Sequence, residues 1–362
     1  MIIMSKKLFD YVIGNPPYND DFKNSGDNGN FGKPVYNIFM DSANTVSNKV
    51  ELIHPARFLF NAGSTPKAWN EKMLSDPHFK VITYSEDATA VFPNTDIKGG
   101  VAITYHDESK NFSPIMVFTK FKELNSILHK VIASTNFEGM EGIVVTRTAY
   151  RFTEKLHIDH PEASYKEDEN GNNIGQLSKG HDYDMSTNIF DRLPQVFYDT
   201  KPSDGQKYIR LLGRKGSARV YKYIRADYVN SPKNLYKYKV FLSSGNGNGK
   251  FGEALTAPII ADIGDGSTET FISVGNFDTR VEAEFLDKYI KTKFARAMLG
   301  VLKTTQHLTP SVWRYVPLQN FTSSSDIDWT KSIADIDRQL YRKYGLSADE
   351  INFIETNVKE MD

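Results

Sequence analysis

The sequence predicts an α/β protein, with a partial, mostly parallel sheet and covering helices followed by an α+β domain. Three observations carry this. Apolar runs and helical periodicities alternate over the first 105 residues, as strand–helix–strand units do. Beyond residue 110 that alternation stops, and short strand-like runs with glycine-rich turns replace it. At 362 residues, 40% of them apolar and 12% aromatic, the chain can build more than one core, at roughly 100–200 residues per domain.

Residues 8–13 form an apolar run stopped by Gly14, Asn15, Pro16 and Pro17, a strand ended by turn chemistry. Residues 18–33 are polar and rich in Gly and Asn, hence a loop. Val35, Ile38, Phe39, Ala43 and Val46 recur at helical spacing. Residues 50–53 read as a strand, 67–75 as a helix, and 80–84 and 99–105 as two further strands. Residues 118–133 suit one amphipathic helix. Residues 157–188 hold few apolar side chains and read as a long loop or hairpin insertion, open to motion. Residues 207–275 read as short strands. Residues 281–303 read as one long helix, with Lys293, Arg296 and Lys303 away from most of its apolar side. A helix over 329–344 is closed by Gly345, and Ser347-Ala-Asp-Glu350 is a capping box opening the last helix. The domains read as 1–112, 113–325 and a helical tail, 326–362.

With no cysteine in the chain, a disulfide scaffold, a thiolate metal site and a cysteine nucleophile are excluded. No apolar run reaches 18 residues, and residues 1–10 lack a leader-like apolar stretch, so a cytoplasmic protein is expected. The formal net charge is −1, which argues against a polyanionic partner. Its distribution reverses that. Residues 201–250 carry 12 basic and 2 acidic side chains, and residues 288–314 carry 6 and none. Acidic segments flank both. Arg210, Arg214, Lys215, Arg219 and Arg225 sit among Tyr208, Tyr221, Tyr223 and Tyr228. Basic and aromatic residues interleaved in this way suit phosphate contacts and base stacking. Together with Lys293, Arg296, Lys303, Gln306, His307 and Arg314 they are the candidate nucleic-acid contacts.

Asn15-Pro16-Pro17-Tyr18 closes the first strand, at the strand end where open sheets place ligands. Two prolines rigidify the backbone, so the Asn15 amide and the Pro16 carbonyl point in fixed directions. Two acceptors held that way suit a planar NH2 group, and Tyr18 offers an aromatic face to a planar ring. No general base is needed to begin such chemistry.

The run Phe9-Asp-Tyr-Val-Ile-Gly-Asn-Pro-Pro-Tyr18 resembles the catalytic motif of amino-group methyltransferases that use S-adenosylmethionine. It is most similar to the adenine-N6 DNA methyltransferases of restriction–modification systems. Val91-Phe92-Pro93 ahead of a strand is a second match. Residues 267–271, 291–294, 305–307 and 316–321 resemble the specificity part of large combined restriction–modification methylases. The resemblance implies a Rossmann-like methyltransferase sheet and a DNA target-recognition domain, with double-stranded DNA as partner. It implies that Asn15 and the Pro16 carbonyl bind the adenine N6 amino group, with Pro17 stiffening the turn. Tyr18 would stack on the flipped base and Phe92 would flank it.

The family's S-adenosylmethionine motif and its acidic ribose-binding residue are not found ahead of this motif. Gly247-Asn-Gly249-Lys-Phe-Gly252 formally matches a dinucleotide loop but opens no helix. It reads as a turn, or as backbone approaching DNA phosphates. Asp262-Ile-Gly-Asp-Gly266 is a second formal substitute. A separate polypeptide carrying the cofactor half is therefore expected, or self-association through the first strand. Two other readings remain: a non-catalytic DNA-specificity subunit, and a methyltransferase acting on RNA or on protein glutamine.

Overall fold

The structure, a computed structural model, describes residues 7–20, 32–93, 95 and 97–361. The polar loop expected over 18–33 lies largely outside the described residues. The chain divides into two units, Met1–Asn125 and Ser126–Asp362.

The first unit contains β1 (Val12–Gly14), α1 (Tyr36–Val46), β2 (Lys49–Pro55), α2 (Lys67–Ser75), β3 (Phe79–Ser85) and β4 (Val101–Asp107), while α3 (Lys122–Ile132) begins at its end. The sheet order is β1-β2-β4-β3. β1 pairs with β2 in parallel, Val12 opposite Val50 and Gly14 opposite Leu52. β4 is antiparallel to both β2 and β3. Hence β1, β2 and β3 run one way and β4 alone runs back. The expected mostly parallel sheet is corrected, since only the β1–β2 pairing is parallel. Between β3 and β4 the described residues form a short 3₁₀ turn at Ala88–Ala90 and none of the helical crossover that parallel neighbours use.

Alternation along the strands sets the core. Val50, Leu52 and His54 on β2 and Ala102 on β4 are buried, as are Tyr36, Met40 and Ala43 of α1 and Trp69 and Met73 of α2. Phe58 lies among the rings of Tyr36, His54, Trp69 and Phe79 at centroid distances of 5.0–6.3 Å. The opposite sheet face carries Tyr11 and Ile13, which stay exposed, with Glu51 and Tyr105. Phe118, expected to open a helix, instead packs against the rings of Phe60 and Tyr84, so the helix starts later.

The second unit contains β5 (Val144–Val145), β6 (Arg151–Phe152), α4 (Glu154–Asp159), α5 (Ile189–Arg192), β7 (Tyr208–Lys215), β8 (Ala218–Arg225), β9 (Val229–Asn230), β10 (Tyr238–Ser243), β11 (Ile259–Ala261), β12 (Asp265–Ser267), β13 (Phe271–Phe277), α6 (Arg280–Lys291), α7 (Lys293–Leu299), α8 (Ile333–Lys343) and α9 (Ala348–Asn357). Its sheets run β11-β10-β13-β5, β12-β7-β8 and β6-β9. Helix α6 packs on β10 and β13. Short strands occupy 207–275, as their sequence suggests. Ser347 and Glu350 make both halves of the capping box.

Three expectations are corrected here. The long helix over 281–303 is two helices, because Thr292 leaves helical geometry at ψ 147°. Its hydroxyl donates to the Tyr289 carbonyl at 2.6 Å and accepts from the Ala295 amide at 3.1 Å. The Asp337 carboxylate takes the Lys293 and Phe294 amides, 2.9 Å each. The segment 157–188 is the irregular stretch its sequence suggests, with a Glu167–Asn173 hairpin bridge, but it is anchored, since Ala163, Leu177 and Met185 are buried in a core of this unit. The helix expected from 329 begins after Ser332, its cap, because Trp329 is buried with its indole N–H on the Asn320 carbonyl.

Candidate active site

Because β1, β2 and β3 point the same way, the chain leaves all three at one edge of the sheet. Asn15 follows β1, Ala56 follows β2, and the turn bearing Phe92 follows β3. The Asn-Pro-Pro-Tyr turn is held at both ends. Before it, Gly14 is locked to Leu52. After it, the Val35 amide donates to the Tyr18 carbonyl at 3.0 Å and the Asp20 amide to Lys33 at 2.9 Å, tying the turn to the start of α1. Prolines have no amide N–H to donate, so the anchoring falls largely to the residues around them.

Asn15 and Pro17 are exposed, and Pro16 and Tyr18 half-buried. The Tyr18 ring meets Phe92 edge to face, centroids 6.5 Å apart and planes at 68°. The Tyr18 hydroxyl is buried beside the Asn15 side chain, with no hydrogen bond of good geometry among the described residues. Burial pushes its pKa up, and the Asn15 side chain partly offsets this. Phe92 is placed by a small capped turn. The Asp87 carboxylate accepts from the Thr89 amide at 2.9 Å and its hydroxyl at 2.6 Å, and the Phe92 amide bonds Ala88 at 2.8 Å. The structure thus brings Asn15, Tyr18 and Phe92 together from two loops, Phe92 lying 74 positions after Tyr18. As they stand, the rings fill each other's space. A planar base would lie on a Tyr18 face with Phe92 at its rim rather than between two parallel rings.

Two segments are formal candidates for a cofactor cradle, and neither fits. The amides of Asn248 and Gly249 already hold the Glu253 carboxylate, at 2.9 and 3.1 Å, and Lys303 pairs with that carboxylate. Asp265 lies in β12 beside β7 and is chelated by Arg210, while Asp262 pairs with Arg280.

The candidate nucleic-acid residues separate into two groups. β7 and β8 form a hairpin turned at Gly216, φ +60°, which suits the first position of a tight type II′ turn. Arg214, Lys215 and Arg219 are exposed at its tip, and the register sets Arg214 directly opposite Arg219. Like charges facing across two strands destabilise a sheet. Arg219 donates to the Ala257 carbonyl at 3.1 Å and to the Ser243 hydroxyl at 3.4 Å. Next to Ser243, the Asn246 amide bonds Gln306 at 2.7 Å and the Leu308 amide bonds Ser244 at 2.9 Å. The exposed Gln306 and His307 therefore lie beside the same end of β10. Arg314 is exposed and pairs with Glu141 at 3.1 Å.

The others are engaged within the fold. Arg210 makes a two-bond pair with Asp265, 2.7 Å each, and lies over the Tyr221 ring. Arg225 pairs with Asp227 and Asp159, and Lys293 with Glu355. Arg296 and Lys303 are buried. The outward placement read for Lys293, Arg296 and Lys303 is corrected, because the break at Thr292 re-aims the second helix. Lys250, overlooked in the sequence, is exposed near the buried Arg296.

Residues 2–92 match the family described as Eco57I restriction-modification methylase. An uncharacterized adenine-specific methylase of Mycoplasma pneumoniae (strain ATCC 29342 / M129 / Subtype 1) is 30% identical over 117 residues, 32% of this chain. The match spans only 27% of that relative's length. Two solved structures also align. The type IIG restriction endonuclease BpuSI is 9% identical with TM-score 0.30, over 90% of this chain and 48% of that one. The type IIL restriction-modification enzyme MmeI, in complex with DNA, is 8% identical with TM-score 0.34, over 96% of this chain and 56% of that one. By its motif and these sequence matches, the chain resembles the adenine-specific methylases of restriction–modification systems, and the matched family segment carries the Asn-Pro-Pro-Tyr turn.

Proposed function

We propose that this chain is the catalytic-motif and DNA-reading part of an adenine-N6 DNA methyltransferase of a restriction–modification system. The observation that carries the reading is the meeting of Asn15, Tyr18 and Phe92 at one sheet edge within the segment that matches the methylase family. The Asn15 amide oxygen and the Pro16 carbonyl accept the two N–H bonds of a flipped adenine amino group, raising electron density on its nitrogen. Pro17 keeps the turn stiff. Tyr18 stacks on the base and Phe92 closes its rim. Flipping costs a few kcal/mol, and stacking on an aromatic returns about 1–3 kcal/mol per base. The basic hairpin tip, with Gln306 and His307, contacts duplex DNA. Residues 1–112 do the first task and 113–325 the second, with 326–362 as a helical tail.

S-adenosylmethionine is the donor the reading requires, and no described segment of this chain fits it. The unpaired side of β1 supports a complementing half supplied there by a second polypeptide. Among the described residues β1 ends the sheet, and Leu8, Phe9, Tyr11 and Ile13 on and ahead of it are exposed, an unprotected template for another strand. The experiment is transfer of labelled methyl to duplex DNA by the chain with and without such a partner. Transfer with the partner that is lost on Asn15→Ala supports the reading. Duplex binding without any transfer leaves a specificity subunit, and label on RNA or on protein glutamine overturns the DNA assignment. Micromolar binding of S-adenosylmethionine to this chain alone overturns the need for a partner.

A further inference from the structure

Arg57 follows β2 at the sheet edge where Asn15 follows β1. Its side chain is half-buried and held along its length. Nε donates to the Lys98 carbonyl at 2.6 Å. The stem lies in a notch between two glycine turns, Gly63 at φ +90° and Gly99 at φ +88°. A β-carbon on Gly99 would come within 2.8 Å of Arg57 Cγ, and one on Gly63 within 3.3 Å of Cδ. Glycine thus serves both the left-handed turns and the close approach of the stem.

The outer end of the guanidinium is unused. Neither Nη nitrogen has a partner among the described residues, and neither is closed off from solvent. An arginine fixed by its stem and Nε, with its fork free, is preorganised for an oxyanion that takes two N–H bonds. Its surroundings indicate which oxyanion. Burial dominates the ionisation of the Tyr36 hydroxyl, with Thr65 and then the Arg57 charge acting against it. Tyr36 opens α1 beside Val35, whose amide holds the Tyr18 carbonyl. Lys98 and Gly99 belong to the stretch between Phe92 and β4. Arg57 therefore touches the segments that carry both rings of the candidate site. A nucleotide swung about 180° out of a duplex brings its flanking phosphates to the same edge as its base, and phosphate contacts fix register without reading sequence.

We propose that the Arg57 fork, in the notch between Gly63 and Gly99, binds a phosphodiester flanking the flipped adenine. The inference rests on the reading of Asn15, Tyr18 and Phe92 as an adenine site. The test uses the full chain and a duplex with one adenine opposite an abasic site, a base cheap to flip. Uncharged methylphosphonates replace its phosphates one at a time. The wild type is expected to lose affinity about tenfold at one of the two linkages flanking the adenine, as for a hydrogen bond to a charged group. Arg57→Gln should bind the unmodified duplex as weakly, lose nothing further at that linkage, and lower the salt slope by about 0.9. Arg57→Lys keeps the charge without the fork and should recover part of the affinity. The wild-type scan needs no variant, so it decides the matter even where Arg57→Gln misfolds. A wild type indifferent to both linkages overturns the proposal. So does an Arg57→Gln chain that stays sensitive to the linkage, because its weakness then comes from the released Lys98 carbonyl alone. Tyr18→Ala separates the two claims. If that variant keeps the preference for the unpaired adenine over a fully paired duplex, the adenine reading falls, while coupling of Arg57 to one linkage still shows the phosphate contact. If it loses the preference and no linkage couples to Arg57, the adenine reading stands and the phosphate proposal falls. Absence of binding to any duplex sinks both.

Discussion

Tyr18 links the strand to the proposed chemistry. Its carbonyl anchors the turn to the start of α1, and its ring faces Phe92. A change that keeps the ring should therefore separate stacking from the hydroxyl. Tyr18→Phe is expected to retain methyl transfer by the assembled enzyme, whereas Tyr18→Ala should weaken capture of a flipped base by about 1–3 kcal/mol. Fluorescence of a base analogue at the target position reads this, and an unchanged signal in the alanine variant would contradict the stacking role. His54 behaves differently. It is fully buried, stacked 5.7 Å from Tyr36, with one ring nitrogen 2.7 Å from the Thr104 hydroxyl and the other 3.1 Å from the Pro55 carbonyl. Burial lowers its pKa to about 4 from an ordinary 6.5. The unfolded chain thus takes up the proton first. The stability contribution is whole above pH 6.5 and is lost as pH falls toward 4, by about 3 kcal/mol. Urea unfolding at pH 7.5 and 4.5 should show that loss in the wild type, with a smaller one in His54→Phe. Equal losses would place the acid sensitivity elsewhere.

At the scale of elements, the β7–β8 hairpin and the α6–α7 break decide which cations face solvent, and so which can serve the proposed DNA contact. The hairpin projects Arg214, Lys215 and Arg219, and like charges are tolerated there because the tip is solvated. Reversing charge in Arg214→Glu with Lys215→Glu should weaken duplex binding and flatten its salt dependence by up to about two phosphate contacts. A salt slope equal to that of the wild type would remove the hairpin from the interface. The break at Thr292 was hidden in the sequence, because apolar residues keep helical spacing straight through it. What stops the helix is Thr292 capping the next one, together with Asp337, 45 residues away, taking two amides. A local periodicity carries no trace of that. The capping box at Ser347 was legible because both its partners are three residues apart.

The whole molecule raises the matter of the first strand. β1 is three residues long, paired on one side, and followed by the turn that the proposed chemistry depends on. Among the described residues nothing pairs with its other side, and Tyr11 and Ile13 on its open face are exposed. Mixing the chain with a complementing cofactor half should give a stable 1:1 complex by sedimentation, and Ile13→Lys should weaken it. A complex insensitive to that charge would place the contact on another surface. Self-association of the chain alone, abolished by the same substitution, would instead show the edge pairing with its own copy.

The strands and helices of the first unit, the Asn-Pro-Pro-Tyr turn and the last capping box were all written in short-range pattern. Each depends on residues within a few positions of one another. Sheet direction, the contact of Tyr18 with Phe92, and the burial of Arg296 and Lys303 were decided only by the tertiary structure. So was the capture of the glycine-rich loop by Glu253 and Lys303. All of these turn on partners distant in sequence, whose pairing local periodicity does not encode. For the same reason charge counts located the basic segments but could not separate cations that face solvent from those neutralised inside the fold.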